Sequence, residues 1–194
     1  CLLGDVYKRQ SLINVNIPLI EKIGNNAFEN CKYLENIKIP LVTEIGDGSF
    51  AVCGSLTNID IPLVTIINDD SFNYCTYLTN VNLPLVTKIG NNAFENCKYL
   101  ENIKIPLVTE IGNNVFENCG LTSIDLHQVT KIGNNAFKNC TFLTSINLPQ
   151  VTNIDNNVFE NCESLTSIII PKITEIGENV FNNCMLLTSI CLLY

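Results

Sequence analysis

The chain has 194 residues, 46% of them hydrophobic and only 15% charged, with a formal net charge of −8. That apolar content argues against a disordered polar chain. The eleven basic residues are spread mostly singly along an acidic chain, which argues against nucleic acid or an anionic membrane as the main partner. No apolar run approaches the roughly 18 residues needed to cross a bilayer, so no membrane insertion is expected in this segment.

In chain order, residues 1–10 match nothing that follows, and residues 191–194 repeat the same Cys-Leu-Leu opening. Both read as non-native flanks around a repeat region spanning residues 11–190. The only methionine is Met185, so the chain is not expected to be a complete translation product, and the lack of a visible signal peptide carries no information.

Between the flanks the sequence repeats itself. Leucines recur from Leu12 to Leu187 every 22 residues, except for one step of 21 between Leu100 and Leu121. Phenylalanines keep the same interval from Phe28 to Phe181, and a cysteine follows each of them three residues later, from Cys31 to Cys184. Eight units stacked face to face are therefore expected, since no single unit can bury its own apolar side.

The unit from Leu34 shows what each position does. Ile37 and Ile39 point inward while Asn36 and Lys38 point outward, the alternation of a short strand. Pro40 ends the strand because it has no N–H. Val42 and Ile45 return to the core along a second extended stretch. Gly46 is expected to supply a turn with positive φ, and Asn68 and Asp155 stand at the same point in two other units. The following Asn-Asn-Ala-Phe-Glu-Asn-Cys, as in residues 91–97, reads as a short helical turn capped by Asn91 or Asn92. The expected fold class is α/β: a solenoid of about eight 22-residue coils with parallel strands and short helical turns. Lys22 to Gly46 is identical to Lys88 to Gly112, displaced by 66 residues, so a block of three units reads as duplicated.

The pattern Leu-x-x-Ile-x-Ile-Pro-x-x-Val-x-x-Ile-Gly-x-x-Ala-Phe-x-x-Cys resembles the BspA-like class of leucine-rich repeats over residues 11–190. The resemblance implies a right-handed solenoid, a cell-surface or secreted location and a role in adhesion.

Candidate chemistry is sparse. The cysteine ladder lacks the closely spaced ligand pairs of zinc sites, and it reads as buried thiols. His127 stands where other units have Pro, just after the one-residue deletion near Gly120. With Asp125 it could form part of a catalytic set, but no nucleophile is placed beside it, and a local kink is the expected effect. Asn68, Asp69 and Asp70, with Asp47, offer too few oxygens in too loose an arrangement for calcium and read as turn residues. Asn139 begins the only glycosylation sequon and adjoins a buried cysteine. No catalytic residue, metal or cofactor is expected.

The outward strand positions are the candidate binding face. One column runs from Asn14 through Asn36, Asn58, Asn80 and Asn102 to Ser123, Ser145 and Ser167. The other contains Asn16, Lys38, Asp60, Asn82, Lys104, Asp125, Asn147 and Ile169. The residues singled out as ligand-contacting are Asn36, Lys38, Asn58, Asp60, Asn80, Asn82, Asn102, Lys104, Asp125 and Asn147. Two apolar stripes compete with them. One contains Tyr33, Tyr77, Tyr99 and Phe142. The other contains Leu19, Leu41, Leu63, Leu85 and Leu107, which either packs under the adjacent turn or is exposed to a partner. The reading is a non-enzymatic binding or adhesion module for a protein or glycan ligand. A structural spacer and the targeting part of a larger enzyme are the alternatives, and self-association through uncapped ends is a further expectation.

Overall fold

The computed structural model describes residues 11–192. The flank expected at residues 1–10 lies outside them, as do Leu193 and Tyr194. Each unit is one coil carrying one or two short strands. On one side run β1 (Asn14–Asn16), β3 (Asn36–Lys38), β5 (Asn58–Asp60), β7 (Asn80–Asn82), β11 (Ser145–Asn147), β13 (Ser167–Ile169) and β15 (Ser189–Cys191). On the second side run β2 (Lys22–Ile23), β4 (Glu44–Ile45), β6 (Ile66–Ile67), β8 (Lys88–Ile89), β9 (Glu110–Ile111), β10 (Lys131–Ile132), β12 (Asn153–Ile154) and β14 (Glu175–Ile176). All pairings are parallel and in register, Asn14 against Asn36 and Ile67 against Ile89. β15 extends to Cys191, which pairs with Ile169, so the ladder reaches one residue into the segment set apart as a flank.

The third side of each coil corrects the expectation of helical turns, because the described residues contain no helix. It is a chain of β-turns. Asn26 and Asn30 adopt φ of 56° and 61°, and equivalent residues do so in every later coil. Positive φ breaks a helix and suits the third position of a type II turn. The backbone donors then point between coils. The N–H groups of Asn26, Phe28 and Asn30 donate to the carbonyls of Asp47, Ser49 and Ala51 one coil on, at 2.8, 2.8 and 2.7 Å. A helix would have turned those donors back within its own segment.

Asparagine suits this side for two reasons. It tolerates the left-handed region, and its carboxamide both donates and accepts, so it pairs with its own copy one coil away. Asn114 donates to Asn92 Oδ1 and Asn135 to Asn114 Oδ1, both at 2.8 Å. A second ladder runs from Asn118 to Asn96, Asn139 to Asn118, Asn161 to Asn139 and Asn183 to Asn161, at 2.7 to 3.1 Å. Two coils break this second ladder with Val52 (φ 61°) and Tyr74 (φ 58°). A β-branched residue there is strained.

The glycine expected to need positive φ has another role. Gly48 is the only glycine with φ in that range among the described residues. At Gly46 a Cβ would fall 2.3 Å from Asn25 Oδ1 and 2.4 Å from Asn25 N, in the preceding coil. The side chain is absent so that Asn25 Oδ1 can accept the Asp47 N–H at 3.0 Å while Gly46 N–H reaches Ile23 O at 2.8 Å. The second-side ladder is interrupted between β4 and β6 and between β10 and β12. These are the two steps at which Asn68 and Asp155 replace glycine. At the first, the Asn68 side chain supplies the bond to Ile45 O, at 2.8 Å.

The core lies between the three sides, with Leu, Ile, Val, Phe and Cys of successive coils in unbroken columns. Phenylalanine rings from Phe28 to Phe181 stack with centroids 5.3 to 6.0 Å apart. The offset contact favoured between aromatic rings thus runs along the whole solenoid. Within the core, the thiols of Cys53, Cys75 and Cys97 donate to the carbonyls of Phe28, Phe50 and Phe72, at 3.1 to 3.3 Å.

Three substitutions test this account. Gly46→Ala is expected to lower stability by about 1–3 kcal/mol through lost coil-to-coil bonds and overpacking. Gly24→Ala, at the equivalent position but with nothing within 4 Å of its Cβ among the described residues, should leave thermal unfolding unchanged or slightly raised. Val52→Asn should stabilise by about 1 kcal/mol by relieving the left-handed strain, as read from denaturant midpoints.

Candidate binding face

The outward residues of the three-residue strands are exposed while the residue between them points to the core. Each coil thus presents two side chains with backbone between them. Stacking aligns these into two columns separated by a groove along the solenoid axis. Strand spacing of about 4.8 Å sets the repeat along it. The columns are internally bonded. Asn36 donates to Asn14 Oδ1 at 3.1 Å, Asn80 to Asn58 Oδ1 at 2.7 Å and Asn82 to Asp60 Oδ1 at 2.8 Å.

The groove runs over β5, β7 and the segment that follows. There a depression is lined by Asn58, Asp60, Asn80, Asn82, Asn102 and Lys104, with the backbone of Ile59 and Val81 as its floor. Six of the ten residues singled out in the sequence therefore meet at one place. Asn36 and Lys38 on β3, Asn147 on β11 and Asp125 outside any strand are exposed but do not line it. Tyr99 and Glu101 do line it and were not among the ten. The signal for Tyr99 was its place in the aromatic column just before the strand.

The depression adjoins an irregularity in the stack. After β7, strand pairing shrinks to a single bridge between Asn82 and Lys104, and no three-residue strand forms again until β11. The cause is the 21-residue step. Between Cys119 and Leu121 stands Gly120 alone, where the coil before it has Lys98 and Tyr99. Gly120 passes so close to that coil that a Cβ would lie 2.4 Å from Lys98 O. The second side absorbs none of this, since β8, β9 and β10 pair continuously across it. The one-residue deletion shows itself as a local loss of strand pairing on the groove side.

Other candidates resolve into structural parts. His127 Nδ1 lies 3.0 Å from Asp125 Oδ1, both exposed, in the coil that has lost its strand. Asp69 Oδ1 accepts the Asn91 N–H at 2.7 Å, and Asp70 Oδ1 accepts from Asn73 and Asn92, both at 3.1 Å, so these carboxylates are rungs of the turn-side ladders. Asn139, the sequon residue, bonds to Asn118 and Asn161. A glycan on its nitrogen would break that rung. The leucine stripe is exposed, with Leu41, Leu63, Leu85 and Leu107 each at least 40% accessible, so the alternative of packing under the turn does not hold.

The thiols are structural. Burial pushes the Cys75 thiol up from its ordinary value near 9 to about 12, and it pushes Cys97 and Cys140 up as well, helped by neighbouring cysteines. The thiolate is the reactive form. Cys53, Cys75, Cys97, Cys140 and Cys162 are therefore expected to resist thiol reagents in the native state and to react on unfolding, while the partly exposed Cys191 reacts sooner. A thiol raised in the folded state contributes stability that is complete below its unfolded value and is lost as pH rises. Stability should fall from about pH 9, by about 1.4 kcal/mol per pH unit for each such thiol. Thermal melts of Cys75→Ala against the parent should show a shallower decline.

Residues 4–106 and 65–188 match the family described as BspA type Leucine rich repeat region (6 copies). A leucine-rich repeat protein from Bacteroides ovatus ATCC 8483 superposes with a TM-score of 0.81 at 30% identity, covering 91% of this chain and 48% of that one. The chain thus spans about half the length of that relative. The T. pallidum leucine rich repeat protein superposes with a TM-score of 0.61 at 24% identity, over 91% of this chain and 78% of that one, a likeness of fold. No curated protein matches the sequence.

Proposed function

The chain belongs to the BspA-type leucine-rich repeat family, and from that premise we propose that it is a recognition module of a cell-surface or secreted protein, binding a macromolecular ligand along the strand-side groove. The observation that carries this reading is the convergence of Asn58, Asp60, Asn80, Asn82, Asn102 and Lys104 around one depression. A leucine-rich repeat solenoid is a non-enzymatic fold used for interaction or structure. It offers stacked copies of one surface, so several weak contacts act together on an extended ligand. The groove residues are short and polar and project from paired backbone, which holds them in place before any ligand arrives.

An adhesive role outside the cell is consistent with the state of the cysteines. Thiols buried against phenylalanine carbonyls are shielded from the oxidants that would cross-link exposed ones.

The test is an array of immobilised matrix proteins and glycans probed with the intact chain and with the triple variant Lys38→Ala, Asp60→Ala, Lys104→Ala. Specific binding that falls by about tenfold or more in the variant is expected. Absence of specific binding to every immobilised ligand would instead favour a spacer whose length is its function.

A further inference from the structure

Resting on the recognition reading above, we propose that the groove takes an uncharged oligosaccharide chain, with one sugar ring stacked on Tyr99. Three observations converge there. The first is an aromatic platform with an open side. Tyr77 and Tyr99 stack with centroids 5.1 Å apart and planes within 13°, and Tyr99 is 51% exposed. In the next coil the deletion leaves Gly120, which has no side chain, so among the described residues no ring continues the stack beyond Tyr99. An accessible tyrosine face is what the apolar C–H side of a pyranose packs against.

The second is the hydrogen-bonding character of the groove beside it. Asn80 and Asn82 use their nitrogens within the columns, which leaves Asn80 Oδ1 and Asn82 Oδ1 as acceptors without a partner among the described residues. Asn102 is the reverse. Its Oδ1 accepts from Ser123 Oγ at 3.3 Å, and its nitrogen is left to donate. Two acceptors in one coil thus stand beside a donor in the next, and a sugar hydroxyl can meet either, being itself both.

The third is what the groove lacks. Apart from Tyr99, its projecting side chains are polar, so it has no apolar pocket to seat the anchor residue of a protein partner. Asp60 and Glu101 outnumber Lys104, which disfavours an acidic polysaccharide.

Affinity electrophoresis in gels containing neutral polysaccharides, followed by calorimetry with neutral hexasaccharides of glucose, mannose and N-acetylglucosamine, tests the assignment. At least one sugar is expected to retard the chain. Tyr99→Ala should weaken it by about tenfold, without moving the thermal midpoint, because Tyr99 is half exposed. Tyr33→Ala, in the same column but away from the groove, should change binding by less than about twofold. Undiminished binding by Tyr99→Ala would overturn the placement. Binding to a matrix protein that depends on Lys38, Asp60 and Lys104, with no neutral sugar retained, would overturn the ligand class and leave the recognition module standing. Binding of neither kind would overturn both.

Discussion

Every residue in this solenoid sits beside its own copy. Parallel pairing in register places position n against position n plus 22, or 21 across the deletion, and the choice of residue at each position follows from that constraint. Asparagine pairs with itself through one carboxamide donating and the next accepting. Phenylalanine stacks on itself. On the exposed second side charge alternates in sign, with Lys22 against Glu44 at 2.9 Å and Lys88 against Glu110 at 3.3 Å. The low proportion of charged residues and the abundance of Asn and Thr have the same origin.

Cysteine obeys the constraint in a less obvious way. Two thiols stacked at coil spacing gain little from one another, but each reaches the phenylalanine carbonyl of the coil behind it. A small apolar side chain with one weak donor fills the space beside a backbone acceptor in the core. A serine would carry a stronger but more hydrated group into that position, and an alanine would leave both the space and the second lone pair empty.

The strands, the inward Leu, Ile and Val columns and the Phe ladder were legible because strand alternation and the 22-residue period both survive in one-dimensional text. The turn side was misread. Asn-Asn-Ala-Phe carries a good helix cap and a helix-like spacing between Phe94 and Cys97, and local propensity alone favours the helix. What overrides it is the neighbouring coil, which supplies carbonyls for Asn92 and Phe94 N–H at 2.8 and 3.0 Å. The role of Gly46 was misassigned for the same reason, since the atoms that forbid its side chain lie in Asn25, 21 residues earlier. The ten outward residues were identified as a face, but their convergence on one depression depends on how the coil after β7 responds to Gly120, and no spacing rule contains that.

The identity of Lys22 to Gly46 with Lys88 to Gly112 has a further consequence for how the chain reaches this structure. A coil is held by bonds that its twin three places away could make equally well, so a nascent stack can close on the wrong neighbour and still satisfy its ladders. The duplicated segment alone does not encode an order of assembly. Address is supplied by the misfits: Asn68, Val52 and the shortened step at Gly120 each occur once and fit only one neighbour. The irregular coils that cost the stack local bonds are, in folding, its index marks.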